Sequence, residues 1–244
     1  MAQFTENRIP GAPDFARLIS DDPEAILAGL KEHYSRPRIG WSYQWVQRNS
    51  RKIYSGELTE ASINEYQASG KRKGAKSNVE VALLLRQSAI GRSFQCFPIK
   101  PRRVKISREH SLTVSPPFYF VENGVVKIFW LQPRRTFALD DQQAGVLAAL
   151  LRLSHFRDDF EDARLELYDA SAPDGKNREP RVLGLSDLPV VSDRELTRAM
   201  EAFVWAYEQV RYTNFRASSP PTSKERKQDE RQTTFEDMFG FDPS

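Results

Sequence analysis

Apolar and polar positions along this chain repeat with two different periods, and the switches between them mark most of its elements. Asp22-Pro23 reads as a helix start, with Asp22 as N-cap and Pro23 at the first helical position. Ile26, Leu27, Leu30 and Tyr34 then give one apolar face. Trp41, Tyr43 and Trp45 alternate with Ser42, Gln44 and Val46, the two-residue period of a strand. Thr59 is placed to cap a short helix that stops at Gly70. Ser77 and Glu80 have the Ser-x-x-Glu spacing of a capping box, ahead of the apolar stretch Val79 to Ile90 and a stop at Gly91.

The middle of the chain switches to short extended runs. Val104–Ile106 and Leu112–Val114 are strand candidates, and Arg164 to Tyr168 is another. Phe118–Val121 and Val125–Leu131 flank Asn123-Gly124, a strong hairpin signal. Both flanks are strongly apolar, which predicts a central hairpin covered on both faces. Asp140 or Asp141 caps an apolar helix through Val146, Leu147, Leu150, Leu151 and Leu153. Ala170 to Pro189 is polar and broken by Pro and Gly, and reads as a loop. A second capping box, Ser192 with Glu195, opens a helix whose face is Leu196, Met200, Phe203, Tyr207 and Val210.

Together these predict an α+β fold. One compact domain over residues 20–213 holds a mixed β-sheet around the hairpin, with helices 78–90, 140–156 and 193–212 packed on it. Residues 1–19, with Pro10, Gly11 and Pro13, read as an irregular N-terminal arm. Residues 214–244 read as a flexible, disordered tail with an acidic-aromatic end. The 39% hydrophobic content of the 244 residues is enough for a core. A single cysteine, Cys96, forms no intrachain disulfide, which suits a reducing cytoplasm. No signal-peptide core or membrane-length apolar stretch is found.

Charge changes the picture. Between Lys31 and Arg108 stand 17 Lys/Arg against 5 Asp/Glu, a surplus of +12 in a chain whose net charge is +3. A field this lopsided attracts a polyanion or an acidic partner. Two groups of cations dominate it: the exposed loop Lys71, Arg72, Lys73, Lys76, and the run Lys100, Arg102, Arg103, Lys105, with Arg108 beyond. If Arg103 and Lys105 lie on a strand they share a face. Cations of this kind neutralise phosphates and release counterions, the main source of non-specific nucleic-acid affinity. Trp41, Tyr43 and Trp45 beside Arg48, Arg51 and Lys52 could stack on unpaired bases, although large aromatics on a strand more often form its core face.

Signals of catalysis are sparse. His33, His110 and His155 are far apart and lack cysteine neighbours at ligand spacing, so no zinc site is expected, and no metal-binding residue is assigned. No Walker or Rossmann glycine loop and no Gly-x-Ser-x-Gly elbow is present. Cys96, between Phe94 and Phe97, reads as a buried structural thiol. Asp158, Asp159, Glu161 and Asp162, with Glu166 and Asp169 following, are the densest carboxylates; two of them converging in a cleft could bind Mg²⁺, but such a run more often reads as a solvated helix end or turn. No cofactor is indicated.

The order helix, hairpin, helix, strand from Ser77 to Asp169 resembles the restriction-endonuclease-like nuclease core. In that family carboxylates on neighbouring strands, with a strand end Asp/Glu-x-Lys and sometimes a Glu on the first helix, hold a divalent metal that activates water. Here the corresponding strand end is Gln132-Pro133-Arg134, and the acids between Cys96 and Ala138 are Glu109 and Glu122 alone. The resemblance therefore implies at most a degenerate metal-dependent nuclease. In the tail, Gln232, Phe235, Met238 and Phe239 have a spacing that resembles peptides docking on sliding clamps. With Phe241 and the acids Glu236, Asp237 and Asp242, the end also resembles the acidic tails of single-strand-binding proteins. Such anchors would recruit a partner or cover the protein's own basic face.

The reading that results is a non-enzymatic nucleic-acid-binding protein with a recruiting or autoinhibitory tail. Its contacts are Lys71, Arg72, Lys73, Lys76, Lys100, Arg102, Arg103 and Lys105, and its partner-binding residues are Phe235, Met238, Phe239 and Phe241. The alternative is an adaptor or accessory subunit whose basic face meets an acidic protein.

Overall fold

The structure, a computed structural model, describes residues 9–35, 42–68, 73–136, 138–172 and 174–218, with side chains as far as residue 212. Five helices come first: α1 (Ala12–Leu18), α2 (Pro23–Ser35), α3 (Gln44–Tyr54), α4 (Glu60–Ala68) and α5 (Ala75–Ala89). Five strands follow: β1 (Phe94–Phe97), β2 (Arg102–Lys105), β3 (Ser111–Val114), β4 (Phe118–Glu122) and β5 (Val125–Gln132). Then come α6 (Asp141–His155), β6 (Arg164–Asp169), β7 (Arg181–Leu183) and α7 (Asp193–Ser218).

The main sheet runs β1-β4-β5-β6-β7 and is mixed: β5 and β6 are parallel, joined through α6, and the other pairs are antiparallel. The hairpin is its centre. Asn123 and Gly124 both take positive φ, 51° and 77°, as a tight two-residue connection with the right twist requires, and Glu122 faces Val125 across it. Side chains alternate along β5 and β6, so each face is apolar. Ile128, Trp130, Leu165 and Leu167 pack with α1, α2, α6, α7 and the separate β2–β3 ribbon. Phe118, Phe120, Phe129, Leu131 and Tyr168 pack with α3, α4 and α5 on the other face. The hairpin is central and covered on both sides, and the α+β class with a mixed sheet is the one the chain adopts.

The caps act where the residue types place them. Asp22 accepts from the Glu24 amide at 2.9 Å. Asp140 and Gln143 bond reciprocally at 2.8 and 3.2 Å. Ser192 and Glu195 do the same at 2.7 and 3.3 Å.

Four segments differ from the sequence reading. Residues 12–18 of the expected irregular arm are helical: Pro13 is tolerated in the first turn, and Phe15 and Ala16 are fully buried, Phe15 lying 4.6 Å from Phe203 of α7. The Tyr43–Trp45 stretch starts a helix instead of a strand. Val46, Ser50, Ile53 and Tyr54 repeat at helical spacing and are buried, which outweighs an alternation only a few residues long; Trp41 lies outside the described residues. The box at Ser77 does not form, because α5 begins two residues earlier behind Gly74, whose φ is 81°. The expected loop 170–189 contains β7, three residues added to the sheet edge with Leu183 opposite Leu167.

Candidate nucleic-acid interface

The β2–β3 ribbon pairs Arg102 with Val114, Arg103 with Thr113, Val104 with Leu112 and Lys105 with Ser111. Alternation divides it. Val104, Leu112 and Val114 are buried together with Ile106, in the core that includes α6 and α1. Arg103, Lys105 and Thr113 are exposed on the other face. Arg103 and Lys105 thus share a solvent face, whereas Arg102 turns inward. It donates to the Ser154 carbonyl at 3.1 Å and pairs with Asp158 at 3.5 Å, which fixes the ribbon to the end of α6. At the closed end the Ile106 amide donates to the His110 carbonyl at 3.0 Å. His110 Nε2 is hydrogen-bonded to Glu208 of α7, with the His110 ring edge-on to Tyr207. Hydrogen bonds from His110 and Arg211 hold the Glu208 carboxyl below its ordinary range against the opposing effect of its partial burial.

His155 lies beneath the open end. It is 1% exposed, its Nε2 donates to the Lys100 carbonyl at 3.2 Å, and its Nδ1 is 2.7 Å from the Ser154 hydroxyl. Burial, with Arg102 and Arg157 nearby, pushes its pKa down from 6.5 despite the Lys100 bond.

The predicted contacts fall into separate groups. Lys100, Arg103 and Lys105 belong to the ribbon and its approach; they are exposed and form no ion pair among the described residues, and Arg108 in the turn is the same. Lys73 and Lys76 are exposed and unpaired too, but they stand at the start of α5, which packs on the opposite face of the main sheet. Lys71 and Arg72 lie outside the described residues, as do Phe235, Met238, Phe239 and Phe241. Trp45 stacks on Tyr66 at 3.9 Å, and Tyr43 accepts from Arg178 at 2.9 Å.

Other charges are spent inside the fold. Arg92 reaches Glu122 at 2.7 Å and Glu166 at 2.9 Å, and Lys127 reaches Glu122 at 2.6 Å. The Tyr54 hydroxyl donates to Glu166 at 2.5 Å. The Arg92 and Lys127 bonds, acting against partial burial, hold the Glu122 carboxyl at about 2. Burial, together with Glu166, pushes the Tyr54 phenol up. Glu80, free of its expected capping role, pairs with Arg135 at 2.6 Å and with Arg178 at 3.0 Å. Composition did not reveal these groups. The available signal was a lone charge in an apolar strand: Lys127 between Val126 and Ile128, and Glu166 between Leu165 and Leu167.

The carboxylates do not gather. Asp158 and Asp159 are exposed in a single 3₁₀ turn, whereas Glu166 and Asp169 are buried in β6. Gln132 is in register with Asp169, whose carboxylate takes Arg181 at 2.9 Å and the Ser171 amide at 3.0 Å. Glu122 ends β4 opposite Val125, the other end of β5 from Gln132 and about 23 Å along the strand by its usual rise, and Arg134 is paired with Asp14 at 2.9 Å. Among the described residues no group of three or more His, Cys, Asp or Glu is placed to hold a metal ion. Cys96 is half-buried, and burial raises its thiol to about 11. No described helix is long and apolar enough to cross a membrane. No protein-family model, no curated protein and no solved structure matches this chain.

Proposed function

We propose that this chain is a non-enzymatic, cytoplasmic nucleic-acid-binding protein whose binding face is the outer side of the β2–β3 ribbon. The observation that supports this is the division of its arginines and lysines. Those facing inward, such as Arg92, Arg102 and Arg178, are matched to carboxylates or carbonyls. Lys100, Arg103, Lys105 and Arg108 are exposed and unmatched around one element, with Glu109 the one acid between residues 98 and 117. Unmatched cations close together favour a polyanion, because each phosphate they neutralise releases a counterion. The acidic-aromatic end, with Phe235, Met238, Phe239 and Phe241, would recruit a protein partner or cover this face.

Fluorescence anisotropy with labelled single- and double-stranded oligonucleotides across a salt series tests the reading. A linear fall of log K with log salt is expected, with a slope of about −0.9 per duplex phosphate neutralised. Absence of binding at low salt overturns it and favours an adaptor that meets an acidic protein. Removing the residues after Ala217 should raise the affinity if the tail covers the face.

A further inference from the structure

We infer that the β2–β3 ribbon lies in the major groove of B-form DNA, with Arg103 and Lys105 on base edges and Lys100 and Arg108 on flanking phosphates. This rests on the proposed nucleic-acid function and narrows it to one ligand and one mode.

Shape comes first. A two-stranded antiparallel ribbon is about 5 Å between strand axes, and the major groove, about 12 Å wide, admits such a ribbon. Arg103 and Lys105 are two residues apart on one face, about 7 Å along the strand. That is close to two base-pair steps of about 3.4 Å each. Lys100 precedes the open end of the ribbon and Arg108 stands in its closed turn, so the two bracket the outward pair along the ribbon.

Chemistry comes second. The exposed face carries Arg103 and Lys105, with Thr113 and Ser111 opposite them. Arginine and lysine donate to guanine O6 and N7, and hydroxyls bond to several base edges. Among the described residues no aromatic ring stands on this face, whereas binding of unpaired strands relies on stacking platforms. Tyr207 packs against His110, and Trp45 stacks on Tyr66. Trp205 is exposed but projects from α7 rather than from the ribbon. Duplex RNA is disfavoured because its major groove is deep and narrow.

Rigidity comes third. Arg102 on Ser154 and Asp158 pins the open end, His110 on Glu208 pins the turn, and Val104, Ile106, Leu112 and Val114 are buried beneath. A ribbon already fixed in place loses little freedom on binding.

The test uses the full chain and four variants, each checked for native folding by circular dichroism: R103A/K105A, K100A/R108A, W205A and, as a charge-matched control on α7, R194A/R198A. The probes are a mixed-sequence DNA duplex, its separate strands and the RNA duplex of the same sequence. Protection of guanine N7 from methylation reports the major groove directly. The wild type should bind the DNA duplex at least ten-fold more tightly than the single strands or the RNA duplex, and should protect N7. R103A/K105A should lose that protection and at least ten-fold in affinity. K100A/R108A should flatten the salt slope by about 2, from two phosphates at about 0.9 each. W205A and R194A/R198A should bind within two-fold of the wild type. Single strands or duplex RNA bound as tightly as duplex DNA, an unprotected N7, or a dependence on Trp205 would overturn the groove and leave the proposed function standing. Failure to bind every probe at low salt would remove both.

Discussion

His155 donates from Nε2 to the carbonyl of Lys100, tying the approach to the basic ribbon to the buried end of α6. The side chain is almost inaccessible, and its pKa is pushed below 6.5 by that burial.

The sign of the pH dependence follows. The unfolded chain takes up a proton on this imidazole near 6.5, while the folded chain resists it. The contribution to stability is therefore complete above about 6.5 and declines as the pH falls toward the lower folded value. His155→Gln keeps an amide donor for the Lys100 carbonyl and removes the titration. Melting temperatures from pH 8 to pH 5 should fall more steeply for the wild type than for the variant below pH 6.5. Parallel curves would contradict this role.

Arg92 is the hub of a second relationship. It binds Glu122 and Glu166, whose side chains are 14% and 6% exposed. Removing one partner of a buried pair leaves charge uncompensated and costs about 3–5 kcal/mol; with Lys127 still in place the lower end is expected. Arg92→Met should reduce the urea midpoint at pH 7, and adding Glu166→Gln should recover part of the loss. A single variant as stable as the wild type would show that the network contributes nothing.

The same network sets the acid limb of stability. Glu122 titrates at about 2 in the folded chain, below its ordinary 4.5. Its contribution is present above about 4.5 and is lost as the pH falls through about 2. Urea denaturation should show the wild type losing stability between pH 5 and pH 2. Glu122→Gln should show a smaller loss over that interval, and an equal loss would refute the assignment.

How much of this was legible depends on the range of the interaction. The hairpin was readable because Asn123-Gly124 is a local instruction with one backbone solution. So were the caps at Asp22, Asp140 and Ser192, whose partners lie two or three residues away. The shared face of Arg103 and Lys105 followed from strand alternation alone. The helix at Pro13 was not legible, because the burial of Phe15 depends on Phe203 at the other end of the chain. Nor was β7, since three residues acquire a strand only from an existing edge. The roles of Glu80 and Arg92 were hidden for the same reason: their partners Arg178 and Glu166 come from distant segments. The separation of Lys73 and Lys76 from the ribbon is likewise a property of the sheet between them.

Gly145 marks where α6 meets the segment before α7. A Cβ there would stand 2.7 Å from the Pro189 carbonyl oxygen and 3.4 Å from Val191. Alanine ordinarily favours a helix over glycine by about 1 kcal/mol, but a backbone oxygen cannot swing aside. Gly145→Ala should therefore destabilise the protein by about 1–3 kcal/mol, the usual range for overpacking. A raised melting temperature would show that the 189–191 segment yields freely.

The two cationic groups should differ in what they do for a duplex. Lys73 just precedes α5 and Lys76 lies in its first turn, on the face of the sheet opposite the ribbon. A duplex reaching both would have to curve around the sheet, and bending 20–30 base pairs by 40–90° costs about 1–6 kcal/mol. Two lysines on exposed side chains return little of that. Lys73→Ala/Lys76→Ala should accordingly change the slope of log K against log salt by less than 1. Lys100→Ala/Arg108→Ala should flatten it by about 1.8, at about 0.9 per phosphate. Equal effects from the two sets would mean that the nucleic acid wraps the domain, and the binding face would then extend across both layers.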